Sequence, residues 1–292
     1  MALRPSDRED RPRGGANLAA LLTWLLPGAG HVLMGRATFG VIAFALVEGL
    51  YLLGYRLTDG MLFEVLQPEL RSTFAPALTP EAGNLGAILW HMQRDPFGSV
   101  PYFPRPWPST MVLGMTLTAL SGIANLVLCV HAWSEGAFGR RQRQRGHSPA
   151  LIVALTFLLP GLGHLVVGRR ARGVAVFLAI VGLLVVGTLL ASGANLDRTM
   201  HFYYASGQFL AGGPALVLQV LFGGGRVRGE LPYLDAGLVF GCTAGLLNVL
   251  AMLDAFTCAE LQLTAPTGSS AGDAAGAQGT GAPGSGTQRV GA

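Results

Sequence analysis

Two short stretches of this 292-residue chain carry the same residue types at the same spacing. In each, a Leu-Leu-Pro-Gly-x-Gly run is followed at once by a histidine and, five residues later, by an arginine: His31 with Arg36, and His164 with Arg169. Proline removes a backbone donor and glycine loosens a helix, so such a run breaks a helix and frees carbonyl oxygens. An imidazole or a guanidinium beside the break can satisfy them. The same groups could hold an anion, with the arginines reaching phosphate headgroups of a lipid surface. Two histidines could also ligate a metal, but the sequence sets no carboxylates or thiols around them, so no metal and no cofactor is expected. The reading favoured is that His31, Arg36, His164 and Arg169 pin two hairpins and touch lipid headgroups.

The other polar residues that could do chemistry are few. Glu48 lies in an otherwise apolar run, where a carboxylate is costly and marks function by default. Asn125 and Asn248 lie in apolar runs and must find partners, most simply across a helix contact. Asp254 and His131 hold matched places near the ends of the same runs. All 20 basic residues are arginine, which removes a P-loop lysine, a Schiff-base lysine and a Ser-Lys dyad. No catalytic triad, paired-carboxylate site, HExxH or nucleophile elbow is present, and Gly212-Gly213-Pro214 and Gly223-Gly224-Gly225 read as loops. No enzymatic activity is expected. Cys129, Cys242 and Cys258 form no CxxC pair and read as small hydrophobes.

The elements that must position these groups come in duplicate. Residues 22–44 and 155–177 share 13 of 23 positions at an offset of 133. A second block repeats at an offset of 123: Gly122-x-x-Asn125 matches Gly245-x-x-Asn248, and Ala132-Trp133 matches Ala255-Phe256. Upstream, Gly114, Thr118 and Gly122 align with Gly237, Gly241 and Gly245. Small residues every fourth position lie on one helix face and let backbones approach, so these two helices read as packing seams. The chain is thus a tandem duplication, with repeat 1 over 16–135 and repeat 2 over 149–260, joined by a basic linker over 136–148.

Composition sets these repeats in a membrane. The chain is 51% hydrophobic and only 12% charged, with a mean hydropathy of +0.47. That is half the charge of an ordinary soluble domain, and the arginines fall in short blocks that indicate topology and not a nucleic-acid surface. Residues 41–55, 110–130, 174–190 and 236–253 are uncharged or nearly so and long enough to approach a crossing. The broken segments 17–35 and 150–168 are too short before the break to cross alone. Placing the arginine clusters at 4–13, 140–145 and 169–172 all on the cytoplasmic side requires those segments to enter and return. The expected fold is therefore all-α: a polytopic helical membrane protein with four full spans, two re-entrant hairpins, parallel repeats and cytoplasmic termini. Six spans with inverted halves is the alternative.

The remaining segments follow from composition. Residues 1–15 are polar with acids among the arginines, unlike a cleaved signal, and 261–292 are Gly/Ala/Ser-rich; both are expected to be disordered. The long connections 56–109 and 192–233 carry apolar pieces at 85–92 and 209–222, which read as interfacial helices lying on the domain. Tyr102, Trp107 and Tyr233 precede the returning spans, where an aromatic belt is expected.

The quoted motifs resemble an uncharacterised bacterial membrane-protein family of the domain-of-unknown-function type, with the pattern LPGxGHxxxGRxxxG early and GLLNxLxxLDA late. Residues 159–173 and 245–255 fit closely, whereas 122–132 is a degraded copy with His131 in place of the acid. The hairpin also looks distantly like the Gly-x-Gly-x-His-Arg hairpin of two-pass transmembrane domains. The resemblance implies membrane residence and brings no activity. The expected function is a non-enzymatic structural, interaction or assembly component of the bacterial cytoplasmic membrane, with lipid and an unknown protein as partners and no nucleic acid. The alternative is a small transporter or channel-like protein, which would require Glu48, Asn125 and Asn248 to converge on one cavity.

Overall fold

The computed structural model describes residues 13–66, 70–71, 74–94, 106–143, 147–222 and 231–264. Tyr102, Arg145, Gly223 to Gly225 and most of the two ends expected to be disordered lie outside them. Within them, helix already begins at Arg13 and ends at Thr264.

The Pro-Gly breaks divide each half in the same way. The first half opens with α1 (Arg13–Leu25), α2 (Ala29–Leu33) and α3 (Ala37–Leu57). The second opens with α6 (Pro149–Leu158), α7 (Leu162–Val166) and α8 (Arg170–Leu190). Gly28 and Gly161 sit at the breaks with φ of 79° and 83°, a left-handed conformation that only glycine adopts freely. Each also lies so close to the backbone of Gly40 or Gly173 that no Cβ would fit. Backbone geometry and packing therefore demand glycine at the same place.

The first half closes with α4 (Leu85–Arg94) and α5 (Met111–Arg143), and the second with α9 (Phe202–Phe209), α10 (Gly213–Phe222) and α11 (Leu234–Thr264). Among the described residues, four helices are long and apolar enough to cross a membrane: α3, α5 as far as Phe138, α8 and α11. Their outward faces are apolar and exposed, as at Val41, Ile42 and Leu46 on α3 and Leu178, Val185 and Leu189 on α8. Four such helices on an all-helical framework make this a multi-pass membrane protein. The expected linker 136–148 is not all loop. Arg and Gln are good helix formers, and α5 runs unbroken through it to Arg143.

Along α5 the path of the first half can be followed contact by contact. Ala16 packs on Gly136, and Asn17 accepts a hydrogen bond from Trp133 Nε1 at 3.0 Å. Thr23 and Trp24 reach Asn125, roughly three turns along α5. Beyond the break the chain comes back, with His31 against His131 and Arg36 against Glu135. Then α3 runs back along α5 from Glu135 to its start, where Thr110 donates to Leu57 O at 2.7 Å. Gly54 and Gly114 meet so closely that a Cβ on either would lie 2.6–2.7 Å from the other's carbonyl oxygen. The same contact recurs between Gly187 of α8 and Gly237 of α11.

The connections do not simply lie over the domain, as their composition suggested. Two 3-10 turns, Ala75–Leu78 and Pro80–Gly83, bring Pro80 and Glu81 against Gly122, and α9 brings Gly207 against Gly245. The glycine stripes thus leave troughs that the connections fill. Tyr51, Leu62, Met115 and Phe202 form a core there that spans both halves. The helix expected over 209–222 is α10, which begins at Gly213, and Gly212, whose φ is 75°, divides it from α9, which ends at Phe209.

Candidate functional site

At one end of the bundle the short helix α2 offers His31, fully buried, to α5. His131 and Glu135 are four residues apart on α5 and so share a face. His31 Nε2 lies 2.7 Å from His131 Nδ1, and Glu135 Oε1 lies 4.0 Å from His131 Nε2. Arg36 donates to Glu135 Oε1 at 2.6 Å, with the carboxylate side chain only 8% exposed. That carboxylate offsets a cation placed at the start of α3, where the helix dipole disfavours positive charge. Phe39 completes the cluster: its ring lies 4.7 Å from His31 and 5.4 Å from His131, and the Arg36 guanidinium covers it at 4.5 Å. His31, His131 and Glu135 each bring a ligand atom within 4.8 Å of the others, so the expectation that no metal-ligating groups surround His31 is corrected. Sequence spacing hid this because the partners lie about 100 residues away.

The second half builds the same place differently. His164, also fully buried, meets Asp254 Oδ2 at 2.7 Å, and Arg172 reaches the same oxygen at 3.2 Å. At the offset of 123, His131 becomes Asp254 and Glu135 becomes Cys258. Cys258 is a free thiol buried with Ile152, Val167 and Ala259, and Cys129 and Cys242 are free and half-buried. Arg169 therefore has no counterpart of Glu135 to meet, and its side chain is exposed. The repeat itself was the signal: His31 and His164 match at one offset, His131 and Asp254 at the other, and His31 meets His131 as His164 meets Asp254.

The two asparagines serve backbone. Asn125 Nδ2 donates to Thr23 O at 2.9 Å, Trp24 O at 3.3 Å and Gly83 O at 3.0 Å. Thr23 and Trp24 lie in the last turn of α1, whose carbonyls lack intrahelical donors, so the break and the asparagine belong together. Asn248 donates to Leu210 O at 2.9 Å, at the divide between α9 and α10. Glu48, half-buried on α3, faces the Asn84 side chain. Glu48, Asn125 and Asn248 have no hydrogen-bond partner in common among the described residues, and the cleft beside Arg198, lined by Thr116, Gln208 and Gln219, contains none of them.

Of the packing glycines, Gly114 and Gly237 meet the neighbouring spans, while Gly122, Gly241 and Gly245 meet the connections. Gly241 abuts the Gln208 amide, which accepts from Asn195 Nδ2 at 2.6 Å.

The most deeply buried ion pair among the described residues carried no sequence signal. Arg198 donates to both oxygens of Glu81 at 2.8 Å, and to Met115 O at 2.7 Å. Thr118 donates to Glu81 Oε1 at 2.9 Å, and Phe202 lies 5.1 Å from the guanidinium. Glu81 is wholly buried and Arg198 nearly so. This pair joins the two halves.

The profile of a family of unknown function, DUF6677, matches residues 18–145 and 151–266. No curated protein and no solved structure matches the chain. With most of its length so covered, in two segments that divide where the two halves divide, the chain belongs to the DUF6677 family.

Proposed function

We propose that this protein is a non-enzymatic structural or assembly component of the bacterial cytoplasmic membrane. One observation carries the reading: buried polar groups of the helices and of their connections are spent on one another. Asn125 and Asn248 hold carbonyls, Glu81 holds Arg198, and the two hairpin histidines hold His131 and Asp254. A bundle wired in this way keeps a shape; it does not line a path for a solute. On this reading the halves are tandem copies, each with two full spans and one re-entrant hairpin, and both termini are cytoplasmic. The return of the chain from Asn125 to Glu135 supports the hairpins, because α1 and α2 accompany α5 only from about Asn125 onward. Exposed Arg169 is the better placed of the two motif arginines for an anionic headgroup, since Arg36 is held by Glu135.

The second reading, a small transporter, rests on Glu48, a carboxylate half-buried on a span. Capture of partners from native membranes, with solute flux measured in reconstituted vesicles, separates the two. Stable co-purifying membrane proteins and flux no greater than in empty vesicles fit the structural role. Flux abolished by Glu48→Gln would overturn it. Cysteine labelling tests the topology: cytoplasmic labelling at both 143 and 170 is expected, and opposite sides would favour six spans.

A further inference from the structure

We propose that His31, His131 and Glu135 form a binding site for one divalent transition-metal ion of the zinc class. The donor set is chemically apt. Two imidazoles and one carboxylate are the ligands of three-residue zinc sites, which leave a fourth position for water or another small ligand. The three donors come from two elements, α2 and α5, and lie within 4.8 Å of one another. A bound ion would tie the returning arm of the hairpin to the helix behind it.

The surroundings resemble those of a metal site more than those of a simple hydrogen bond. Two imidazoles 2.7 Å apart share one proton between nitrogens that both suit a borderline cation. Exchanging that proton for an ion needs the nitrogens to part to about 3.4 Å, the separation set by Zn–N bonds of about 2.1 Å in a tetrahedron. A ring rotation of one of the two achieves that. Phe39 packs against both rings and limits their orientations, and Arg36 fixes the Glu135 carboxylate, which has about four lone-pair positions and can serve the guanidinium and an ion together. Such outer contacts are what orient ligands in metal centres.

The second half supplies an internal comparison. There Asp254 replaces His131, Cys258 replaces Glu135, and His164 is hydrogen-bonded to Asp254, which also pairs with Arg172. His31 and His164 hold the same place in the repeated motif and are equally buried. Metal capacity should therefore follow the partners on α5 and belong to the first half alone.

The test uses the full-length protein carrying a purification tag without histidines, in lipid nanodiscs equilibrated with buffered free Zn2+ and analysed by elemental mass spectrometry. Wild type should hold about one zinc per chain, as a three-ligand site requires. His131→Leu and the conservative Glu135→Gln should lose it, while His164→Ala should keep it. Co2+ loaded in place of Zn2+ should give wild-type protein the intense visible bands of a four-coordinate nitrogen/oxygen site. These bands are read on wild type alone, so they decide the matter even if a variant fails to fold. Wild type without bound zinc, equal zinc in wild type and His131→Leu, or cobalt bands of a hexa-aquo ion would each overturn the site.

Discussion

Replacing Arg198 by methionine should be the most damaging single change outside the glycine contacts. The substitution keeps most of the side-chain volume but removes both hydrogen bonds to Glu81 and the one to Met115 O. Glu81 is then left wholly buried with Thr118 as its remaining donor. Removing one partner of a buried ion pair costs about 3–5 kcal/mol, because the other charge stays unpaired in a poor solvent for it. At about 1.4 kcal/mol per tenfold, that lowers the folding equilibrium between roughly one hundred- and several thousand-fold. The double variant Glu81→Met with Arg198→Met should recover most of the loss, since two apolar side chains of similar volume often replace such a pair without penalty. Thr118 would not be stranded, for its hydroxyl also reaches Met115 O at 3.0 Å. Unfolding in mixed micelles, followed by a thiol-reactive dye, suits this protein because its three cysteines are free and at least half-buried. If Arg198→Met costs less than about 1 kcal/mol, as an exposed pair would, the bridge between the halves is not what holds them. If the double variant loses the sum of the two single losses, the pair is not a coupled unit.

Other perturbations rank positions that the sequence alone treats as equals. Asn125→Leu strands carbonyls of Thr23, Trp24 and Gly83, and Asn248→Leu only that of Leu210; with each buried unpaired group costing about 1–3 kcal/mol, the first should melt clearly below the second in the same dye assay. Gly54→Leu and Gly187→Leu should each abolish extraction of folded protein, as should Gly114→Leu and Gly237→Leu, because the facing backbones leave no room for a side chain; monodisperse elution of any of them at the wild-type volume would contradict the contact. Arg169→Gln should weaken binding to anionic vesicles by about 1 kcal/mol in a salt-sensitive way, whereas Arg36→Gln should leave lipid binding nearly unchanged and lower stability instead. Vesicle flotation at two salt concentrations distinguishes the two arginines, and identical behaviour would refute the asymmetry.

What the sequence revealed follows the reach of its signals. Apolar runs mark long helices because length and composition alone define them, and α3, α5, α8 and α11 lie where 41–55, 110–130, 174–190 and 236–253 indicate. The Pro-Gly breaks were legible because their effect is local. Gly54 and Gly187 were missed although they match at the offset of 133, since a glycine in an apolar helix is unremarkable until its facing partner is known. No local pattern singles out Glu135, and its role arises only when the chain returns to bring Arg36 and His31 beside it. Glu81 and Arg198 lie in connections without periodicity, 117 residues apart, where no local pattern marks either residue.

That separation also has a meaning in time. A ribosome adding about 5–20 residues per second needs roughly 6–23 seconds to pass from Glu81 to Arg198. For that interval the first half holds Glu81 without Arg198, so the Pro80–Gly83 turn cannot yet complete its contacts in the trough on α5. Docking of this turn is therefore a late event, licensed by the arrival of the second half, and it closes both halves at once. Two separately synthesised halves should need each other for maturation, and a quality-control protease that samples nascent membrane proteins would find the undocked connection first.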